Sequence, residues 1–263
     1  MGAETRDSLS DARPPAVPFT ATEELYYEGE FSKLMLRGID IVEIRFSAAL
    51  SPQAPPAPAA SKETKVRSNY LFTAEATSKG WFSKLFGWRF NHRIESTVEA
   101  GSFTALRTGK TDEQGKRVRT SEAIFDRAAD KITWTERDPN APAKPPRVVS
   151  SNVCGAVHDV ISAFYFLRTQ PLAPNQAFNL TVTDSGKIYQ LPARVVETKK
   201  IKTALGEMPA VRVDVEIFGP DRLVKSQGEF SVWFSADAKR LPLQARVNTD
   251  LGTLEIKLKK VAG

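Results

Sequence analysis

Residues Ser150–Gln170, SSNVCGAVHDVISAFYFLRTQ, decide how this chain folds. Nearly every other segment alternates apolar and polar residues in the manner of a half-buried strand. Here Val157, Val160, Ile161, Phe164 and Leu167 recur at helical spacing instead, which predicts one helix over about 153–169. Ser150, Ser151 or Asn152 can supply the N-cap oxygen, Asp159 falls in the early turns and Arg168 in the last turn, and these charges suit the helix dipole at both ends. Ala163, Tyr165 and Phe166 occupy the remaining faces, so the segment is apolar almost all round, as a helix wrapped by a sheet must be. On such a helix Asp159 reads as a cap or as the partner of a strand Lys or Arg. Arg168 reads as satisfying the terminal carbonyls, with a ligand head-group contact as its alternative.

Working outward from the helix, both flanks read as strands. Met1–Pro18, polar and carrying three prolines, reads as a flexible leader, and 19–263 as a single domain. From Glu24 onward Leu25, Tyr27, Gly29 and Phe31 alternate, then Gly38 interrupts before Ile39, Ile41 and Val42–Phe46. Ser51–Ser61, SPQAPPAPAAS, is an exposed loop tip. Val66–Thr77, Arg89–Ala100, Ser102–Thr108, Arg117–Phe125 and Lys131–Thr135 continue as strands. Turns are expected at Gly109–Gly115 and Asp126–Asp130, and the proline-rich Asp138–Pro146 leads to the helix. Beyond it, Ala177–Thr183, Lys187–Val196, Val211–Ile217, Gly228–Ser235, Leu241–Asn248 and Thr253–Val261 alternate again, with a tight turn at Asp184-Ser185-Gly186. The fold class that follows is mainly β: an antiparallel curved sheet or incomplete β-barrel around one central apolar helix.

One segment departs from this pattern. In Lys79–Trp88, KGWFSKLFGW, residues Trp81, Leu85 and Trp88 fall on one helical face with Phe82 and Phe86 beside them, a short aromatic helix or turn. It reads as a lid that plugs one end of the barrel, or more sharply as a pocket rim or a contact with a membrane interface.

Composition narrows the function classes. Apolar residues make up 41% of the 263, enough for a substantial core. The net charge of +6 spreads 31 acids among 37 bases, and the basic clusters Lys116–Arg119, Lys199–Lys202 and Lys257–Lys260 lie on or beside separate strands, so nucleic acid is not an expected partner. The single cysteine, Cys154, allows no internal disulfide or thiolate cluster and reads as a small apolar residue at the start of the buried helix. The two histidines, His92 and His158, are not brought together by any pattern, and HExxH, GxSxG, GxGxxG and GxxxxGK[ST] are all missing, so no metal, cofactor or catalytic residue is indicated. No apolar run is long enough to span a bilayer. Met1–Pro18 has no apolar core of a signal peptide, which leaves a cytosolic chain or one exported under a signal not in this sequence.

Certain residues resemble a bacterial family, domain of unknown function 3108. They are Pro18-Phe19, Glu24-Leu25-Tyr26-Tyr27, Asp159-Val160, Ser162–Arg168, Val232-Trp233-Phe234-Ser235, Asp237, Arg240 and Pro242. The resemblance implies an exported, periplasmic protein of Gram-negative bacteria with an antiparallel sheet curled about a helix. That layout is similar to the half-barrels of periplasmic lipoprotein carriers, which hold acyl chains between sheet and helix. The leading expectation is therefore a non-enzymatic envelope protein that binds a lipid or other apolar small molecule, contacted by Trp81, Phe82, Leu85, Phe86, Trp88, Ile161, Phe164, Tyr165 and Arg168. The alternative is a solid-packed module that binds an envelope protein or glycan, and an enzyme ranks third.

Overall fold

A computed structural model describes residues 17–34, 36–52, 68–80, 87 and 89–263. The expected leader up to Ala16, the loop tip beyond Pro52, and Trp81, Phe82, Leu85, Phe86 and Trp88 lie outside them. Before the helix the strands are β1 (Glu24–Lys33), β2 (Leu36–Pro52), β3 (Ser68–Ser78), β4 (Phe90–Glu99), β5 (Ala105–Gln114), β6 (Arg117–Asp126), β7 (Lys131–Arg137), β8 (Arg147–Asn152) and the two-residue β9 (His158–Asp159). Helix α1 (Val160–Thr169) follows. Then come β10 (Ala177–Asp184), β11 (Lys187–Thr203), β12 (Gly206–Val215), β13 (Glu229–Ser235), β14 (Pro242–Thr249) and β15 (Gly252–Ala262).

These strands form one sheet in the order β8-β7-β6-β5-β4-β3-β2-β1-β15-β14-β13-β12-β11-β10-β9. The chain starts in the middle of the sheet, meanders to the β8 edge, crosses by α1 and meanders back from the other edge until β15 pairs with β1. Every pairing is antiparallel except β9 with β10. Strand alternation sets the inner face: Leu25 and Tyr27, Tyr70 and Phe72, Ile132 and Trp134, Leu191, Ala193 and Val195 are all buried. The outer face is laced by cross-strand ion pairs such as Arg107–Glu122, Lys257–Glu30 and Arg246–Glu255, individually worth little at such exposure.

The ladder does not close into a barrel, but its two ends meet. The Ser151 hydroxyl on β8 donates to the Gly186 carbonyl at 2.7 Å, in the turn between β10 and β11. Gly186 has φ +75°, and a Cβ there would lie 2.8 Å from Cβ of Val149, so only glycine lets the ends approach this closely.

The helix is shorter than 153–169. Gly155 sits at φ +81°, the Val153 N–H is taken by the Asp130 carbonyl, and His158–Asp159 pair with Val182–Thr183, all of which keep the chain out of the helix up to Asp159. Ser150, Ser151 and Asn152 therefore cap nothing; they belong to β8. Asp159 is the N-cap. Its Oδ1 accepts the N–H groups of Ile161 and Ser162 at 2.8 and 3.0 Å, and the Ser162 hydroxyl accepts the Asp159 N–H, a complete capping box. Its Oδ2 accepts from the Ser96 and Thr108 hydroxyls, which pins the start of the helix to β4 and β5. Cys154, outside the helix, is exposed. Gly109–Gln114 is strand, not turn, because Gly109 pairs with both Glu95 and Glu122 and its backbone groups are satisfied in the ladder.

α1 presents a different face to each half of the sheet. Ala163 and Leu167 pack on Leu180, Val182, Val213 and Val232 of the second half. Ile161 and Tyr165 pack on Tyr70, Phe72 and Val98 of the first, with the Tyr165 ring stacked on Phe72 at 4.0 Å between centroids. Phe164 lies between the faces, stacked on Phe46 at 5.0 Å. Val160, expected to be buried, is 42% exposed.

Candidate functional site: an apolar cavity beside the helix

Packing is tight on the first-half face of α1 but not on the other. A cavity of about 200 Å³ lies between the helix and strands β1, β2 and β10–β15. Val160, Ile161, Ala163, Phe164 and Leu167 form its helical wall. The sheet contributes Ile44, Phe46, Leu191, Val215, Val232, Ala245 and Ile256, among others. The polar side chains among its lining residues are those of Tyr27 and Gln244, and the Tyr27 hydroxyl is already committed to the Pro242 carbonyl at 2.8 Å. No carboxylate, amine or guanidinium lines it. Chemically the site can solvate a hydrocarbon and little else.

Of the residues anticipated for binding, Ile161 and Phe164 line this cavity, while Tyr165 and Arg168 face away from it. Arg168 is fully buried and forms a clamp. Its guanidinium donates to both oxygens of Glu23 at 2.5 and 2.9 Å, and to the Pro18 and Lys239 carbonyls at 3.2 Å each. It also lies 5.3 Å from the Phe19 ring centre and 5.5 Å from that of Tyr165. The carbonyl of Arg168 in turn accepts from Arg240 at 2.8 Å. One side chain thus fastens residues 18–23, the helix C-terminus and the β13–β14 turn, and closes that end of the half-barrel. Its Nη groups are spent on protein acceptors and the side chain is fully buried, Nε included, so this geometry leaves no donor of Arg168 within reach of a head group.

The cavity's strand residues, such as Tyr27, Ile44 and Val232, occupy inward positions of the alternation and are in that sense visible in the sequence. What alternation does not reveal is which inward positions leave space between them. A larger, polar depression of about 280 Å³ lies on the outer surface of β4–β7, but Arg93 with Glu95 and Arg107 with Glu122 neutralise each other there.

His158 sits beside the cap, stacked on Phe166 at 4.3 Å, with its Nδ1 lacking a partner among the described residues. Burial pushes its pKa from 6.5 down to about 4, against the opposing pull of Asp159 and of its hydrogen bond to the Phe103 backbone. Because the folded form refuses a proton that the unfolded chain accepts, stability is full above pH 6.5 and falls as pH drops toward 4. The expected loss is about 3 kcal/mol across that window, read from urea midpoints at successive pH values. His158→Gln should flatten the profile there; an unchanged slope would assign it to other groups.

Residues 59–259 match the family described as "Protein of unknown function (DUF3108)". The chain belongs to the DUF3108 family. No curated protein matches it in sequence. A β-barrel-like protein of DUF1849 from Brucella abortus shares its fold, with a TM-score of 0.54 at 7% identity over 92% of this chain and 97% of that one. A protein of YmcC-like fold from Bacteroides fragilis aligns over 94% and 98% of the two chains at 7% identity, with a TM-score of 0.37. In this DUF3108 chain the clamp joins Arg168, Ser235, Asp237 and Arg240 from within the matched residues to Pro18 and Phe19, which precede them. Arg168 binds the Pro18 carbonyl and Phe19, Arg240 binds Arg168, and the Ser235 hydroxyl bridges Asp237 and the Leu241 N–H in the same turn. Their common role is to hold the closed end. Among the described residues no three His, Cys, Asp or Glu side chains gather as a metal site, and no helix is long and apolar enough to cross a membrane.

Proposed function

We propose that the protein binds one apolar chain, of a lipid or fatty acid, in the cavity between α1 and the second half of the sheet. The observation that carries this reading is a wall of hydrocarbon side chains, free of charged groups, around space that the core leaves unfilled. At about 200 Å³ the space is smaller than the roughly 300–1,000 Å³ of a drug-sized ligand site and suits a single acyl chain better than two side by side. Partly exposed Val160, Leu223 and Phe230 give such a chain a way in. The cell-envelope location that the family resemblance implies would put the cavity next to membrane lipid.

The rival reading, a solid interaction module, has support on one side only. Phe164 and Tyr165 do meet, 5.8 Å apart, and the first-half face of the helix is filled; the face toward β10–β15 is what favours a ligand. Protein purified without detergent from the cells that make it is expected to carry a stoichiometric acyl lipid, detected by mass spectrometry of the organic extract. It should also take up a fluorescent fatty acid once stripped. Protein that carries no lipid and takes up none would refute the reading.

A further inference from the structure

We propose that the end of the half-barrel opposite the clamp docks on a phospholipid bilayer through two leucine-tipped turns. Leu34, between β1 and β2, is 88% exposed, and Leu251, between β14 and β15, is 67% exposed. The two turns are neighbours. Ser32 pairs with Thr253, and a Cβ on Gly252 would lie 2.6 Å from the Ser32 carbonyl oxygen. Leu34 is held at φ +49°, a conformation where a turn ordinarily places Gly, Asn or Asp. Neither the turn nor the core explains a leucine at this position, since its side chain packs against nothing that would offset the strain. An apolar environment outside the protein would.

Two further features of this end point to a bilayer. Lys33 and Arg37 flank the Leu34 tip, and Lys225 lies on the β12–β13 loop; all are exposed and have no carboxylate partner among the described residues, so cations stand about the Leu34 tip as anionic head groups require, while the Leu251 tip carries the one acid Asp250 beside it. The β12–β13 loop touches the β14–β15 hairpin, a Cβ on Gly228 falling 2.7 Å from the Asn248 carbonyl oxygen. It also carries Leu223, which lines the cavity, and Val224, which is 37% exposed. Two leucine tips offer far too little area for a specific protein interface of about 1,200 Å² or more, whereas insertion among lipids needs no complementary surface. Docking at this end would set the open side of the cavity against the bilayer.

Vesicle flotation with the full chain tests this, using phosphatidylethanolamine mixed with phosphatidylglycerol and, separately, phosphatidylcholine alone. The native protein is expected to float with the anionic vesicles, and more weakly at high salt or on phosphatidylcholine. Leu34→Glu combined with Leu251→Glu should lower the bound fraction at least about tenfold, as removal of two inserted leucines implies. Leu205→Glu, the same exchange on the exposed β11–β12 turn at the clamp end, should change nothing. Equal flotation of the double variant, or a native protein that stays in solution, would overturn the proposal. Fatty-acid uptake by the double variant, measured without vesicles, is expected to stay native, so loss of docking and loss of the cavity's function are read separately.

Discussion

Arg168→Met is expected to destabilise the protein by about 3–5 kcal/mol, a large share of the stability of any single domain. The exchange leaves the Glu23 carboxylate, itself 6% exposed, facing a methionine. It also strips the Pro18 and Lys239 carbonyls of their donor. Segment 18–23 then loses its tie to the helix, and Phe19, packed edge-on against Tyr70, Phe72 and Tyr165, loses the stacked guanidinium. Urea denaturation followed by circular dichroism measures the effect. Adding Glu23→Gln to Arg168→Met should recover part of the loss, because the unpaired buried charge is then gone while the bridging hydrogen bonds are still missing. A loss under about 1 kcal/mol would show that the clamp is not what closes this end.

The second large effect concerns binding. Ala245 lines the cavity from β14, opposite the helix and partly exposed, so an indole there can enter the open space without displacing a packed neighbour. Ala245→Trp is expected to weaken fatty-acid binding by about a hundredfold or more. Displacing four methylenes from an apolar wall, at about 0.8 kcal/mol each, removes about 3 kcal/mol, which is more than two decades of affinity. Titration with a fluorescent fatty acid measures this, and a urea midpoint at or above the native value confirms that the indole has filled space and not disrupted the core. Native affinity in a well-folded variant would place the ligand elsewhere or nowhere.

The helix shows how far a local pattern carries. Ile161, Phe164 and Leu167 announce it because 3.6-residue periodicity is a property of the segment alone. Its start is not legible in the same way, because the sequence offers several capping oxygens between Ser150 and Asp159. The competing extended pairing of His158–Asp159 with β10 is a contact with residues more than twenty positions away. The same holds for β8, whose partner β7 lies across a proline-rich loop, and for Gly109, which reads locally as a turn but is held straight by a strand on each side.

What the sequence determined by itself is what nearest neighbours impose: alternating strands, tight turns, one apolar helix between two runs of strands, and hence a curved sheet around a rod. What only the tertiary structure decided is how well the two sides of that rod are filled. Arg168 and Phe164 look equally available on a helical wheel. One is consumed by Glu23 and by backbone carbonyls far along the chain, and the other is left on a cavity wall. Packing density is a sum over side chains brought together from both ends of the sequence, so neither the clamp nor the empty space beside it exists until the sheet has curled.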